Sequence, residues 1–376
     1  MASGVSLDLP QFKGRAGWEF TDISSLDLAA YERVPPVANG GVAPLWELET
    51  PPLPDGVIVG SLDDAPAELL GSLIGADDDP FVALNDAGER GGTFVYVPRG
   101  VVVSEPISLA AVQAAVGTLV NQRTLVVVGE DAQVEVWEQF LSGADELDGV
   151  FNIVTELIVG DGARLRYVCG QGLSERSWIF GAQRASVGRS GSLDWVALGF
   201  GSAGGHVRME TRLAGEGADA RVTGAYATRG RQHIDFDTTQ EHAAPHTTSD
   251  LAFRGVLQGR SSAVWKGNII VDPGAQKTDA FQESRNLLIS KRAHADAIPG
   301  LEIQANDVRC THAAAVAQVD PEQLFYLRSR GLREDVAKQL VIEGFLSALV
   351  ERFEAGAVRE VLGEALERRL ALVLAG

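Results

Sequence analysis

The chain has 376 residues, of which 45% are hydrophobic, and its formal net charge is −19. This length allows one large domain or two to three smaller ones, each with a buried core. The acidic balance argues against nucleic acid or an anionic membrane as the main partner, because both require a basic protein surface.

Three features predict a soluble cytoplasmic protein. The two cysteines, Cys169 and Cys310, are far apart in the sequence and do not make a disulfide framework. The first residues lack a basic segment followed by an apolar one, so we predict no signal peptide. No apolar run reaches the roughly 18 residues that a membrane-spanning helix requires, so we expect no membrane partner.

Residues 1–88 are predicted to form a mixed region with short helices. Trp18 and Phe20, with acidic residues around them, predict an amphipathic N-terminal helix. Asp64, followed by Pro66 in the first turn, predicts the start of a second helix.

Residues 89–318 alternate short β-rich runs with polar turns that contain glycine. The first four turns begin at Gly129, Gly160, Gly188 and Gly215, so their spacing is 27 to 31 residues. Strand, turn and strand at such a period is typical of a solenoid of stacked coils. A β-sandwich also has many short strands and is the main alternative, but the loose repeat favours a parallel β-helix.

Residues 319–376 are predicted to form a helical domain. Its beginning shows an N-cap, a first-turn proline, a capping-box glutamine and a terminating glycine. These residues are Asp320, Pro321, Gln323 and Gly331. Two further helices are predicted over 333–353 and 357–374 from their apolar spacing and composition. The helices could cap one end of the solenoid or bind a partner, and the residues alone favour capping.

Three histidines within 14 residues, His233, His242 and His246, suggest metal binding. His242 and His246 are four residues apart, as in a helical histidine pair, but this region is predicted to be β-rich and the tract matches no known zinc pattern, so structural roles between coils are the favoured alternative. Cys169 lies in a strand pattern and is predicted to be buried packing. We find no recognisable catalytic triad or acid–base carboxylate pair.

Cys310 and His312 are two residues apart, so a strand would place both side chains on one face. A thiolate and an imidazole together make half of a site for a soft metal. Judged from these residues alone, such a pair is more often a coincidence than a site. A real site would need further ligands from elsewhere.

Several short motifs resemble the SufB/SufD family of iron–sulfur cluster assembly scaffolds, over roughly residues 80–353. The motifs are Phe94-Val95-Tyr96-Val97-Pro98-Arg99-Gly100, Pro245-His246-Thr247-Thr248-Ser249, Arg254-Gly255-Val256-Leu257, Gly274-Ala275-Gln276-Lys277-Thr278, Cys310-Thr311-His312 and Glu322-Gln323-Leu324-Phe325-Tyr326-Leu327-Arg328-Ser329-Arg330-Gly331-Leu332. Within the family the chain most resembles the SufD branch. Cys-Thr-His stands where SufB members carry Cys-Glu-His-Glu, and Ser284-Arg285-Asn286 occupies the region of their cluster-assembly cysteine.

The resemblance implies a mainly β protein, built as a right-handed parallel β-helix with helical regions at both ends. It implies a non-catalytic scaffold that pairs with a SufB-like subunit through the β-helix. A transient iron–sulfur cluster would be shared with that subunit, with His312 as a ligand and Cys310 beside it. The resemblance leaves open whether a reduced flavin binds at the level of the complex.

The resemblance also implies that the C-terminal helices bind a SufC-like ATPase. The residues matched to that role are Leu324, Phe325, Tyr326, Arg328, Arg330, Gly331 and Leu332. Two alternatives stay open. One is a SufB-like scaffold that forms a homodimer, and the other is a β-helix lyase or hydrolase that acts on polysaccharides.

Overall fold

A computed structural model describes residues 17–38, 43–48, 52–87, 91–353 and 357–375. Two short strands, β1 (Glu32–Val34) and β2 (Ile58–Ser61), precede a parallel β-solenoid of eight coils. Each coil gives one strand to each of two sheets. The first sheet contains β3 (Gly91–Val97), β5 (Thr118–Val128), β7 (Gly149–Val159), β9 (Trp178–Val187), β11 (Gly204–Leu213), β13 (His233–His242), β15 (Ser262–Val271) and β17 (His294–Ile303). The second contains β4 (Ile107–Gln113), β6 (Gln133–Ser142), β8 (Arg164–Gly172), β10 (Ser192–Gly199), β12 (Asp219–Thr228), β14 (Thr248–Leu257), β16 (Asp279–Leu288) and β18 (Arg309–Gln318).

The predicted parallel β-helix is therefore confirmed, and the β-sandwich alternative is wrong. The register also agrees with the predicted period. In the second sheet Ser192 pairs with Asp219, 27 residues further on, and Thr248 pairs with Asp279, 31 residues further on. Side chains at alternate positions of both sheets point inward and fill the solenoid, with Trp195 and Phe253 among the largest fully buried ones.

Glycine recurs at one corner of the solenoid because successive coils approach each other closely there. A Cβ atom on Gly160 would lie 2.9 Å from a carbonyl oxygen of the preceding coil. On each of the first seven coils one residue of this turn has a left-handed backbone, as at Asp131 (φ 57°) and Gly162 (φ 65°). Its N–H donates to a carbonyl of the next coil, at 2.9 Å from Asp131 N to Asp161 O and 2.8 Å from Gly162 N to Arg189 O. Glycine adopts this backbone without strain, and polar residues such as Asp tolerate it. The turns thus form a hydrogen-bonded ladder along the corner.

The N-terminal region differs from its prediction in two places. A short 3-10 helix (Leu62–Asp64) is capped by Ser61, so Asp64 is its last residue and residues 66–74 form turns. The described residues around Trp18 and Phe20 form turns and bends, and the predicted amphipathic helix is wrong there. Trp18 is nevertheless a buried anchor that stacks on Phe81 in α1 (Pro80–Ala87), with ring centroids 5.4 Å apart.

The three C-terminal helices are confirmed as α2 (Pro321–Ser329), α3 (Glu334–Val350) and α4 (Ala357–Ala375). The Asp320 carboxylate caps α2 by accepting from Glu322 N at 2.9 Å, and Gly331 follows with φ 91°. None of the described helices is both long and apolar enough to cross a membrane.

The C-terminal helices cover a flank of the solenoid and leave its last coil uncovered. Ile342 and Leu346 of α3 share an apolar cluster with Ala252 and Val256 on the outer face of the second sheet. Arg254 strengthens the contact, since its guanidinium lies 5.0 Å from the centroid of the Phe345 ring. Capping of the solenoid end, the role that the residues alone favoured, is therefore not what these helices do.

The two ends of the solenoid differ in whether further strands pair with their edge strands. At the first end β2 pairs antiparallel with β3, and β1 pairs with β5. At the other end β17 and β18 are the outermost strands of their sheets, and no described strand pairs with their outer edges. Most side chains of β18 are accordingly exposed.

Candidate metal site on the open last coil

The structure places Cys310 and His312 on the same face of β18, as strand alternation predicts. In the sheet Cys310 is aligned with Ala280, and His312 is aligned with Gln282. Ala280 and Gln282 are fully buried inside the solenoid, at 1% and 0% exposure. Cys310 and His312 therefore look toward the interior from the last coil, where no further described coil covers them.

The two donors have different surroundings. Cys310 is half-buried and packs on an apolar cluster that includes Ile269, Val271 and Ala280. Burial raises the pKa of its thiol, and the charge of Asp279 raises it further. A metal ion would favour the thiolate by direct coordination. His312 is exposed, and it makes no hydrogen bond or ion pair with any residue that the structure describes.

Polar side chains of β16 line the interior beneath β18. Gln282 crosses from the second sheet to the first, where its Nε2 donates to the carbonyls of Gly267 (3.2 Å) and Gly300 (3.1 Å). Asn286 Oδ1 accepts from the hydroxyl of Tyr226 at 2.5 Å. These side chains therefore cross the interior and connect the last coils.

Cys310 and His312 alone would not complete a metal site. Within the described residues there is no group of three or more His, Cys, Asp or Glu side chains placed to hold a metal ion. An iron–sulfur cluster needs about four ligands, mostly thiolates with some imidazoles. Cys310 and His312 could supply at most two of them.

Within the histidine tract, His242 has hydrogen-bonded surroundings inside the solenoid. His242 is buried inside the solenoid, and its ring nitrogens lie 2.8 Å from Thr247 Oγ1 and 2.9 Å from Ser249 Oγ. Burial lowers its pKa to about 4. His246 is exposed at the left-handed position of a corner turn. The tract does not gather its histidines around one point, because they are spread along a strand and a turn.

One buried pair was missed by sequence reasoning. His206 Nδ1 lies 3.0 Å from the Asp235 carboxylate, beneath Trp18, and Asp235 also accepts from Thr21 Oγ1 at 2.6 Å. Burial opposes protonation of His206, but the charges of Asp235 and two other aspartates raise its pKa overall. His206 and Asp235 lie at the same position on two successive coils, 29 residues apart. Only a known coil length could have revealed this contact from the sequence.

The structure also describes Cys169 and the residues that the resemblance matched to ATPase binding. Cys169 is a free thiol in the buried core, and burial raises its pKa to about 12. Helix α2 has no buried residue, and Phe325 and Tyr326 are 74% and 57% exposed. Arg330 stacks on the Tyr326 ring at 5.2 Å from its centroid. The remaining residues that the resemblance matched to ATPase binding, Leu324, Arg328, Gly331 and Leu332, lie on α2 or just after it.

Comparison with known proteins identifies the family. Residues 111–345 match the family model described as SUF system FeS cluster assembly, SufBD core domain, and residues 36–109 match the SufBD protein N-terminal region. The chain is 34% identical to the iron–sulfur cluster assembly protein SufD of Bacillus subtilis, over 78% of this chain and 68% of that protein. A SufBD family iron–sulfur cluster assembly protein of Mycobacterium tuberculosis is 31% identical over 79% of this chain and 75% of its own length. A SufBD family iron–sulfur cluster assembly protein of Synechocystis is 27% identical, over 97% of this chain and 88% of that protein. This chain therefore belongs to the SufBD family of iron–sulfur cluster assembly proteins.

Proposed function

We propose that this chain is the SufD-like scaffold subunit of a cytoplasmic iron–sulfur cluster assembly complex. It would pair with a SufB-like subunit through the open last coil, and His312, with Cys310 beside it, would bind the nascent cluster. The observation that carries the proposal is that both donors face inward on β18, whose outer edge pairs with no described strand. The chain itself would be non-catalytic, with ATP hydrolysis left to a SufC-like partner.

The open coil suits a partner that adds strands. An edge strand presents unpaired N–H and C=O groups, which proteins normally cover because they promote aggregation. A second solenoid placed end to end would continue both sheets through β17 and β18 by strand addition. Its own inward-facing donors would then lie close to Cys310 and His312, and the two chains together could reach the ligand number of a cluster.

The ligand role can be tested in the reconstituted complex. The chain is co-purified with its SufB-like and SufC-like partners, loaded with iron and sulfide, and compared with His312→Ala and Cys310→Ala. We expect His312→Ala to lose most of the visible absorbance of the cluster and its transfer to an apo acceptor. His246→Ala is the matched control, because His246 is also exposed but lies in a corner turn. Unchanged absorbance in His312→Ala would remove His312 from this role.

Helix α2 is the proposed binding surface for the ATPase. Exposed aromatic and arginine side chains are typical of the few residues that dominate protein interfaces. We expect the double change Phe325→Ala and Tyr326→Ala to weaken binding of the SufC-like partner by about tenfold or more. Leu372→Ala on α4, which removes a similarly exposed apolar side chain, is the control. Equal binding by both variants would exclude α2 as the main contact.

A homodimeric, SufB-like scaffold remains the second candidate, because the same open edges could pair with those of a second copy. Native mass spectrometry of the chain alone distinguishes the SufD-like subunit from the homodimeric scaffold. A stable homodimer that holds a cluster without a partner would favour the homodimeric scaffold. A flavin carried by the complex would co-purify and be released on denaturation. The polysaccharide-acting alternative is disfavoured, because the chain belongs to the SufBD family of iron–sulfur cluster assembly proteins.

A further inference from the structure

Charged side chains on the outer face of the second sheet alternate in sign from coil to coil. One aligned column contains Glu135, Arg166, Asp194, Arg221 and Asp250. Its neighbours form ion pairs, at 2.6 Å between Glu135 and Arg166 and 2.8 Å between Arg166 and Asp194. Alternation is expected, because like charges directly opposite each other destabilise a sheet.

One corner of the solenoid breaks this pattern. The turns that lead into β13, β15 and β17 stack on one another, as shown by the bond from Arg260 N to Gly230 O at 2.7 Å. Arg231, Arg260 and Arg292 each lie two residues before the first residue of these strands. Because those first residues are aligned in the sheet, the three arginines occupy the same position on three successive coils.

These residues form a stripe of unpaired positive charge. Lys291 adds a fourth cation, and we call Arg231, Arg260, Lys291 and Arg292 the arginine stripe. All four side chains are exposed, and none forms an ion pair with a residue in the described part of the chain. Arg229, in the first of the three turns, is different because it pairs with Glu175 at 2.7 Å. The stripe is thus locally basic in a chain whose net charge is −19.

We propose that the arginine stripe binds an extended acidic segment of a partner protein. Successive coils are about 4.8 Å apart, so the cations are spread along a line rather than gathered around one compact anion. Guanidinium groups bind carboxylates through paired hydrogen bonds, and arginine clusters are a common means of recognising acidic motifs. A nucleic acid would meet long-range repulsion from the strongly acidic remainder of the chain.

The position of the stripe supports a protein partner. Val319 N, just after β18, donates to Leu288 O at 3.3 Å, so the chain enters α2 at this same corner. The stripe therefore lies beside the start of a helix that itself has no buried residue. A basic line next to an exposed helix forms one continuous surface, which a folded partner could contact with an acidic strand or tail.

The test uses the full chain and a fluorescent oligoglutamate peptide of about ten residues, with binding followed by anisotropy at low and physiological salt. The variant R231Q/R260Q/R292Q removes the three stacked arginines. The matched control R99Q/R189Q/R309Q removes three exposed arginines that pair with Glu130, Asp161 and Asp279. We expect the stripe variant to bind at least about tenfold more weakly and the control within about twofold of wild type, with both wild-type and control binding weakened by salt.

Two results would overturn the proposal. Equal loss of binding in the stripe and control variants would mean that the peptide senses overall charge and not the stripe. Tighter binding of a single-stranded DNA oligomer of the same net charge would assign the stripe to a nucleic acid. Circular dichroism of each variant verifies that the solenoid is intact, and all six substitutions are at exposed positions where folding should tolerate them.

Discussion

An ion pair between Arg123 and Glu156 holds part of the N-terminal region on the solenoid, and we predict that Arg123→Met releases it. The two side chains are 1% and 0% exposed, with 2.7 Å between Arg123 Nη2 and Glu156 Oε1. Glu156 also accepts from Gly71 N and Leu73 N at 2.9 Å each, and Arg123 Nη2 donates to Ile74 O at 3.0 Å. The pair therefore fastens the turns over 66–74 to β5 and β7.

The free-energy cost of Arg123→Met follows from the buried charge that the substitution leaves unpaired. Without Arg123, Glu156 becomes a buried carboxylate with backbone N–H donors but without its nearest opposite charge. Breaking a buried pair in this way costs about 3–5 kcal/mol. Since about 1.4 kcal/mol is a factor of ten, local opening of the 66–74 segment should become roughly 10² to 10³ times more frequent, or slightly more.

Hydrogen exchange followed by mass spectrometry measures this opening segment by segment. We expect faster exchange in peptides from residues 66–87, with the later solenoid strands unchanged. Arg99→Met is the control, because the exposed pair of Arg99 with Glu130 is worth only about 0–1 kcal/mol. Adding Glu156→Gln to Arg123→Met should recover part of the loss, since position 156 then no longer carries a buried negative charge. If exchange in Arg123→Met stays within about threefold of wild type, the pair is not the restraint we infer.

Three further predictions concern single groups. Burial raises the pKa of Cys169 to about 12, so under native conditions only Cys310 should react with an aromatic disulfide reagent, and Cys310→Ser should show almost no reaction. The Asp235 charge raises the pKa of His206 despite its burial. The stabilisation of the fold by this ion pair is therefore complete below the pKa of an unfolded histidine, about 6.5, and is lost as the pH rises through the pKa of His206 in the folded chain. The melting temperature should therefore fall more between about pH 6 and pH 8 in wild type than in Asp235→Asn, and an equal fall would contradict this. Asp320→Ala removes the cap of α2 and should cost that helix about 1 kcal/mol, seen as roughly fivefold faster amide exchange in α2 alone.

The solenoid and the C-terminal helices were predictable because their signals are local and agree with each other. The turn glycines mark positions where one coil approaches its neighbour too closely for a side chain, and the strands between them carry the inward and outward alternation. Asp320, Pro321 and Gly331 mark α2 in the same way, through cap and turn chemistry that depends on a few neighbouring residues.

The failures arise where distant contacts decide the local structure. Asp64 and Pro66 look like a helix start, but Ser61 caps a shorter 3-10 helix, and Glu156 then captures the N–H groups of the turns that follow. The histidines of the 233–246 tract look clustered along the chain. His233 and His242 are the first and last residues of β13. The nine steps between them along an extended strand span about 30 Å.

The candidate site shows what local patterns can and cannot establish. Alternation correctly predicted that Cys310 and His312 share a face, but the openness of their coil depends on where the C-terminal helices pack. Those helices pack on the flank of the solenoid, where Arg254 and Phe345 are in contact, and not on β17 and β18. An uncovered pair of edge strands is a liability for a chain on its own. We therefore expect selection to keep the coil open only if another chain covers it, and the two donors stand where that chain would meet this one.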